Sequence, residues 1–338
     1  MKLAVLNPGG NDPQQAFTDF AGAPQETAHA PINFHGFAAC TGGTFYRKDT
    51  AIPADSKAVL LLLRKDLKVC RQTLTELRRA GKTVAIAFKE AGSFQIAECL
   101  ANPARLRLVQ EICQRTDGAI ATSPDLVQFL LACGARSAEF IPTPYPLDDE
   151  CWNFSHPIEE RRGILIGTRE FHTPSRNHLA ALLLVRQLAE AMQEPVTVFN
   201  VDGWRGRRML AALRYPEGLL RVVEGRVNYP RYLRIMSRHK LVLQLDASAV
   251  PGQVAGDALL CRIPCVGGNG TTEREAFPNL CSQSRTHEQL LDMTARLLDH
   301  SHDCQAVMED ALALAKDRLG FPVVATQLAD YFRRIART

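Results

Sequence analysis

The sequence predicts an α/β protein made of two doubly wound domains in series. Three observations carry that reading. The chain has 338 residues, enough for about two domains of roughly 100–200 residues each. Short apolar runs, above all Ala58 to Leu63, alternate with amphipathic segments of helical period, as parallel strands covered on both faces require. The alternation stops at residues 142–163, which hold four prolines and a cluster of acids, and then begins again.

In the first half, Lys2 to Leu6 reads as a strand ending in Pro8-Gly9-Gly10. Residues 8–55, rich in Gly, Pro, Thr and Asn, read largely as loop. Ala58 to Leu63 is a strand and Val69 to Ala80 a helix stopped by Gly81. Thr83 to Phe88, Gly118 to Thr122 and Glu139 to Ile141 are further strands, with helices at Leu106 to Arg115 and Pro124 to Cys133 between them. In the second half, strands are expected at Gly163 to Ile166, Val196 to Val201, Leu219 to Val223, Leu241 to Leu245 and Pro264 to Val266. Helices are expected at His178 to Ala191, Tyr229 to Met236 and Val254 to Cys261, then near 286–299, 303–318 and 323–336. The domains are drawn at 1–150 and 151–320, with 321–338 a terminal helix returning to the first domain.

Composition narrows the function. Hydrophobic residues make up 46% and charged residues 22%, a globular balance. The longest apolar run falls far short of the ~18–20 residues of a membrane span, which leaves peripheral membrane contact only. The apolar start meets Pro8 too soon for a signal peptide, so the expected compartment is cytoplasmic. The ten cysteines are scattered singly and read as reduced, mostly buried thiols. His300, His302 and Cys304 lack the second ligand pair of a zinc site, and no metal is expected. Residues 161–238 hold 14 arginines, no lysine and six acids. Arginine's planar fork suits phosphate. Basic clusters interleaved with aromatics are scarce, which argues against nucleic acid.

Ligands of open parallel sheets sit at the carboxyl ends of strands. Four loops stand out there: Asn7 to Asn11 with Gly9 and Gly10; Gly167 to Asn177 with Arg169 and Arg176; Asp202 to Trp204, followed by Arg205, Arg207 and Arg208; and Ser248 to Asp257 with Gly252, Gln253 and Val254. The two arginines of the second loop flank a helix start, where a diphosphate fits. Asp257 either accepts from ribose hydroxyls or complements a helix dipole. There is no Gly-x-Gly-x-x-Gly, no Walker loop and no Asp-x-Asp.

Two stretches, DGAIATSPDLVQFLLACGARSAEFIPTPYPLD (117–148) and LVLQLDASAVPGQVAGDALLCRIPCVGGNGTTEREAF (241–277), resemble segments of GT-B glycosyltransferases, closest in style to glycosyltransferase family 4. The resemblance implies two Rossmann-like domains facing each other across a cleft, with a nucleoside-diphosphate sugar on the second and a glycan, lipid-linked or small-molecule acceptor on the first. It places Arg169 and Arg176 at the diphosphate, Arg226 and Val227 at the nucleobase, and Gly252, Gln253, Val254 and Asp257 along the donor. Gly9 and Gly10 fall beside the acceptor, whose hydroxyl Glu90 would position. The transfer would be retaining and metal-independent, with the donor as co-substrate and no cofactor. The family's pair of glutamates is Ala249 and Asp257 here, and its first-domain histidine is replaced by the Lys89-Glu90-Ala91-Gly92 run. Those departures leave a rival expectation, a non-catalytic relative acting as a regulatory or scaffolding partner.

Overall fold

The computed structural model describes residues 1–18, 21–25, 28–64, 66–89 and 92–336. The chain forms two compact units, Met1–Cys151 with Lys316–Thr338, and Trp152–Ala315.

Unit 1 runs β1 (Ala4–Leu6), β2 (Gln15–Ala16), α1 (Asn33–Ala39), β3 (Thr44–Tyr46), β4 (Ala58–Leu63), α2 (Leu67–Arg79), β5 (Thr83–Phe88), α3 (Ser93–Leu100), α4 (Pro103–Arg115), β6 (Gly118–Ala121), α5 (Asp125–Ala132) and β7 (Ala138–Phe140). Its seven strands lie in the order β2-β3-β1-β4-β5-β6-β7, parallel except where β2 meets β3. Every residue of β4 is buried. Because strand side chains alternate, Val59, Leu61 and Leu63 face one layer with Leu74, Leu77, Val109 and Leu130, while Leu60 and Leu62 face the other.

Unit 2 runs β8 (Ile164–Ile166), α6 (His178–Met192), β9 (Val196–Asn200), α7 (Trp204–Ala212), β10 (Leu220–Glu224), α8 (Tyr229–Met236), β11 (Leu241–Gln244), α9 (Gln253–Cys261), β12 (Cys265–Gly267), α10 (Thr271–Ala276) and α11 (His287–Asp299). Its five strands are all parallel, in the order β10-β9-β8-β11-β12. Then α12 (Ser301–Leu319) leads into α13 (Phe321–Ile335), which belongs to unit 1.

The described part of residues 8–55 is largely irregular, as the sequence predicts, but it also supplies α1 and β3, and β3 pairs in parallel with β1. Their short apolar segments, Phe34 to Ala39 and Phe45-Tyr46, are interrupted by glycines and hide their period. Trp204 opens the helix α7 instead of extending a loop, and α3 and α10 also escape the sequence pattern. All ten cysteines are free thiols and eight are buried.

The α13 helix is tied into the sheet by one hydroxyl. Tyr331 Oη accepts from the Ala119 backbone N–H at 2.7 Å and reaches the Ala119 and Ser137 carbonyls at 2.9 and 3.2 Å. Gly118 makes room for it, since a Cβ there would stand 2.3 Å from that oxygen. Tyr331→Phe is therefore expected to cost about 1–2 kcal/mol, the net worth of such bonds plus a poorly satisfied carbonyl. Denaturant unfolding of the intact chain measures it.

Candidate functional site

In each sheet the chain leaves the first strand one way and later returns on its other side. The point of reversal lies between β1 and β4 in unit 1 and between β8 and β11 in unit 2. Loops at the carboxyl edge of such a reversal are where doubly wound sheets bind ligands.

In unit 2 the loops after β8 and β11 are joined by polar contacts. Arg176 forms an ion pair with Asp246, whose side chain is only 4% exposed. The other Asp246 oxygen accepts from the Ser248 N–H at 2.7 Å. Ser175 and Ser248 share a hydroxyl contact of 2.8 Å, and the Ala247 N–H donates to the Ser175 carbonyl at 2.8 Å. Asn177, at φ 49° ahead of α6, donates its side-chain amide to the Leu245 carbonyl at 2.9 Å. His178 is buried against Thr168, Nδ1 to Oγ1 3.0 Å, and desolvation lowers its pKa to about 4.

Arg169 is half-buried and has a different neighbourhood. Its guanidinium lies 5.6 Å from the ring centre of Tyr232, and it makes no salt bridge among the described residues. Tyr232 stacks with Tyr229 at 6.1 Å, and the Tyr229 hydroxyl donates to Asp257 Oδ1. Gln253 Nε2 stands 3.5 Å from Asp257 Oδ2. Asp257 is 1% exposed, and burial raises its carboxyl to about 7 against the opposing pull of the Tyr229 bond and the Arg169 charge. It is the fifth residue of α9, a turn deeper than the helix start.

The α9 helix starts at Gly252, φ 91°, with no side-chain cap. A Cβ at Gly252 would stand 2.1 Å from Glu273 Oε2, so only glycine fits. Glu273 lies behind this turn, 2% exposed, beside Gly268 and Gly270 as well. Gln244 donates to its Oε1 at 2.7 Å, while Oε2 has no partner. Burial raises this carboxyl to about 7, Asp246 adding to the rise and Gln244 and Arg176 opposing it. Ala249 holds the left-handed φ of 49°, uncommon for a residue with a side chain. Its N–H donates to Asn269 Oδ1 at 2.7 Å.

The structure thus brings Arg169, Gln253 and Asp257 into one group with Tyr229 and Tyr232. It joins Arg176 to Asp246 instead. Arg226 is exposed and Val227 half-buried just after β10, at the far edge of the sheet. Gly252 and Val254 form the α9 start. Asp246, Tyr229, Asn269 and Glu273 were missed by sequence reasoning. For Glu273 the available signal was an acid shortly after Gly267, Gly268 and Gly270.

In unit 1 the loop after β1 is also closely held. Gly9 takes φ 67°, and a Cβ at Gly10 would overlap the buried Asn7 side chain. Asn7 Nδ2 donates to Asp12 at 2.8 Å, and Lys89 Nζ lies 2.7 Å from the same carboxylate. Burial alone would raise the Asp12 carboxyl, but the Lys89 ammonium holds it below its ordinary value. Arg47 donates to the Gly10 carbonyl at 3.0 Å. Glu90, expected to position an acceptor, lies outside the described residues. Among the described residues no cluster of three His, Cys, Asp or Glu side chains could hold a metal ion, and no helix is long and apolar enough to cross a membrane.

Solved structures match this architecture over most of the chain. Anabaena HepE, solved in complex with UDP-glucose, aligns with TM-score 0.66 and 13% identity, over 98% of this chain and 99% of its own. The fold is GT-B. An alpha,alpha-trehalose-phosphate synthase (UDP-forming) from Burkholderia vietnamiensis aligns with TM-score 0.63 and 13% identity, over 85% of this chain and 74% of its own. A glycosyltransferase from Rickettsia africae gives 0.60 and 11%, over 83% and 77%. No protein-family profile matches the chain, and no curated protein matches it in sequence.

Two stability predictions follow from the geometry. Arg176→Ala leaves the buried Asp246 carboxylate without its cation, so it is expected to cost roughly 2–3 kcal/mol in chemical denaturation. The second concerns pH. Carboxyls raised on folding stabilise below their ordinary pKa and lose that contribution as pH climbs through the folded value near 7. Buried His178 and His239, both lowered to about 4, act with the opposite sign but only below the ordinary histidine value of 6.5. Stability should therefore fall from about pH 6.5 to about 8. Glu273→Gln should flatten that fall in melts compared across the window.

Proposed function

We propose that the chain is a glycosyltransferase that takes a sugar from a nucleoside-diphosphate donor. The observation that carries this reading is Arg169. A half-buried guanidinium without a salt bridge among the described residues stands at the carboxyl edge of the reversal in unit 2, backed by Tyr232 and the Asp257 group. The GT-B fold supports it, as does the UDP-glucose held by Anabaena HepE.

In this reading the diphosphate lies on the α9 start, where backbone N–H groups and the helix dipole favour an anion. Arg169 neutralises the charge that develops on the leaving diphosphate. Asp257 turns from Tyr229 to the ribose hydroxyls, and Arg226 and Val227 border the base. Arg176 contributes by holding the β8 and β11 loops together, with its charge partly met by Asp246. The acceptor, whether glycan, lipid-linked or small molecule, belongs to unit 1 near Gly9, Gly10 and Glu90. Transfer is retaining, with no metal or resident cofactor.

Ala249 supports a second reading. It stands at the place of the family's first glutamate and offers only a methyl group, in a strained turn. A non-catalytic relative would bind the nucleotide sugar and leave it intact. Calorimetry with UDP, GDP and ADP, followed by donor hydrolysis assays, separates the two: slow hydrolysis marks the enzyme, and binding without turnover marks the partner. Failure of all three nucleotides at millimolar concentration would remove the donor reading itself.

Arg169→Ala should weaken binding of the preferred nucleoside diphosphate by roughly 1.5–3 kcal/mol while leaving the melting temperature nearly unchanged. Equal affinity of variant and wild type would sink the diphosphate assignment. Turnover should also survive excess EDTA. Loss on chelation, restored by manganese or magnesium, would point to a metal-dependent transferase.

A further inference from the structure

A cavity of about 510 Å³ opens in unit 1 at the carboxyl ends of β4 and β5. That size lies within the ~300–1,000 Å³ of small-molecule sites. Its walls are Leu63, Leu67, Phe88, Ile96 and Leu100, contributed by β4, α2, β5 and α3. These five side chains make an apolar wall at the edge where parallel sheets bind ligands, and polar residues complete the lining.

Two polar atoms of that lining stand out. Gln95 Oε1 and Arg105 Nε are shielded from solvent and have no hydrogen-bond partner among the described residues. An unmet buried guanidinium N–H is costly, and arginine cannot shed its proton to escape the cost. Asn102, also at the cavity, is already occupied: its side chain accepts from the Ala104 and Arg105 backbone N–H groups at 2.9 and 3.3 Å. Arg64 joins Arg105 in the lining, and Glu98 is the single acid there among the described residues. Phe94 on α3 is 56% exposed, a second apolar feature of the same helix.

A hydrophilic sugar would set hydroxyls against the apolar walls, and a plain hydrocarbon would leave Arg105 Nε unmet. A molecule with an apolar chain and an anionic head meets the walls and Arg105, and Gln95, with its amide turned about, donates to the same head. We propose that this cavity binds a single-chain amphiphile, its chain against Leu63, Leu67, Phe88, Ile96 and Leu100 and its phosphate-like head accepting from Arg105. Only the role of this ligand as the acceptor rests on the transferase reading, which it narrows to a lipid-linked phosphate. The binding site stands independently of that reading.

The test is calorimetric titration of the full chain with decyl phosphate, decanol, butyl phosphate and inorganic phosphate, with UDP titrated into the same samples. Decyl phosphate should bind, and the other three should be weaker by about tenfold or more. Arg105→Gln should weaken decyl phosphate by about tenfold and leave decanol unchanged, as loss of a charge-assisted donor predicts. Cys99→Trp, which fills the cavity from a lining position, should abolish binding of both. An unchanged far-ultraviolet spectrum and cooperative melt verify the fold of each variant. No decyl phosphate binding at roughly millimolar concentration overturns the proposal. So does inorganic phosphate or decanol binding as tightly as decyl phosphate, or an affinity that neither variant moves. Loss of UDP binding alone would defeat the transferase reading and leave the amphiphile site intact.

Discussion

A parallel strand cannot be followed by a hairpin, so the chain must cross back before each new strand begins. Everything placed after a strand therefore emerges at one edge of its sheet. Both units obey this constraint, and their polar residues are organised by it. Arg169 is distant in sequence from Asp246 and Gly252, yet all three follow β8 or β11. Asn7 and Lys89 meet through Asp12 for the same reason, after β1 and β5.

The candidate donor loop depends on a support that lies behind it. Glu273 fills the space that Gly252, Gly268 and Gly270 leave open, and accepts a hydrogen bond from Gln244. A buried carboxyl with an unmet oxygen is a costly filler compared with an apolar side chain of similar size. Its effect is to hold the α9 start and the turn before it at a fixed distance. Arg176 and Asp246 hold the other side. Arg169 is left outside both arrangements, its guanidinium against Tyr232, and that placement is the basis of the role proposed for it.

The strands were readable because burial on both faces leaves long apolar runs, as in Ala58 to Leu63. The long helices were readable because a wide apolar stripe repeats over several turns. Elements such as β3, α3 and α10 are too short for a period to show, and their burial comes from neighbours far along the chain. At the site, the residues following strands could be found by their glycines and arginines. The partners could not. Nothing local marks Asp246 as the counter-charge of Arg176, or Tyr229 as the donor to Asp257, because each pairing is made by the crossover and not by spacing. Glu90 lies outside the described residues, so its expected role is untouched by the geometry.

The return of α13 gives unit 1 a particular order of assembly. Its seven strands are complete by Phe140, but the hydroxyl that meets Ala119 and Ser137 arrives with Tyr331. A ribosome makes the whole of unit 2 in between. Domains generally fold as units while the chain emerges, yet here the first unit receives α13 only after the second has been made. Until then the face of β5 and β6 that α13 covers stays open to other chains. Of the two units, the one made earlier is thus the one whose sheet is covered later.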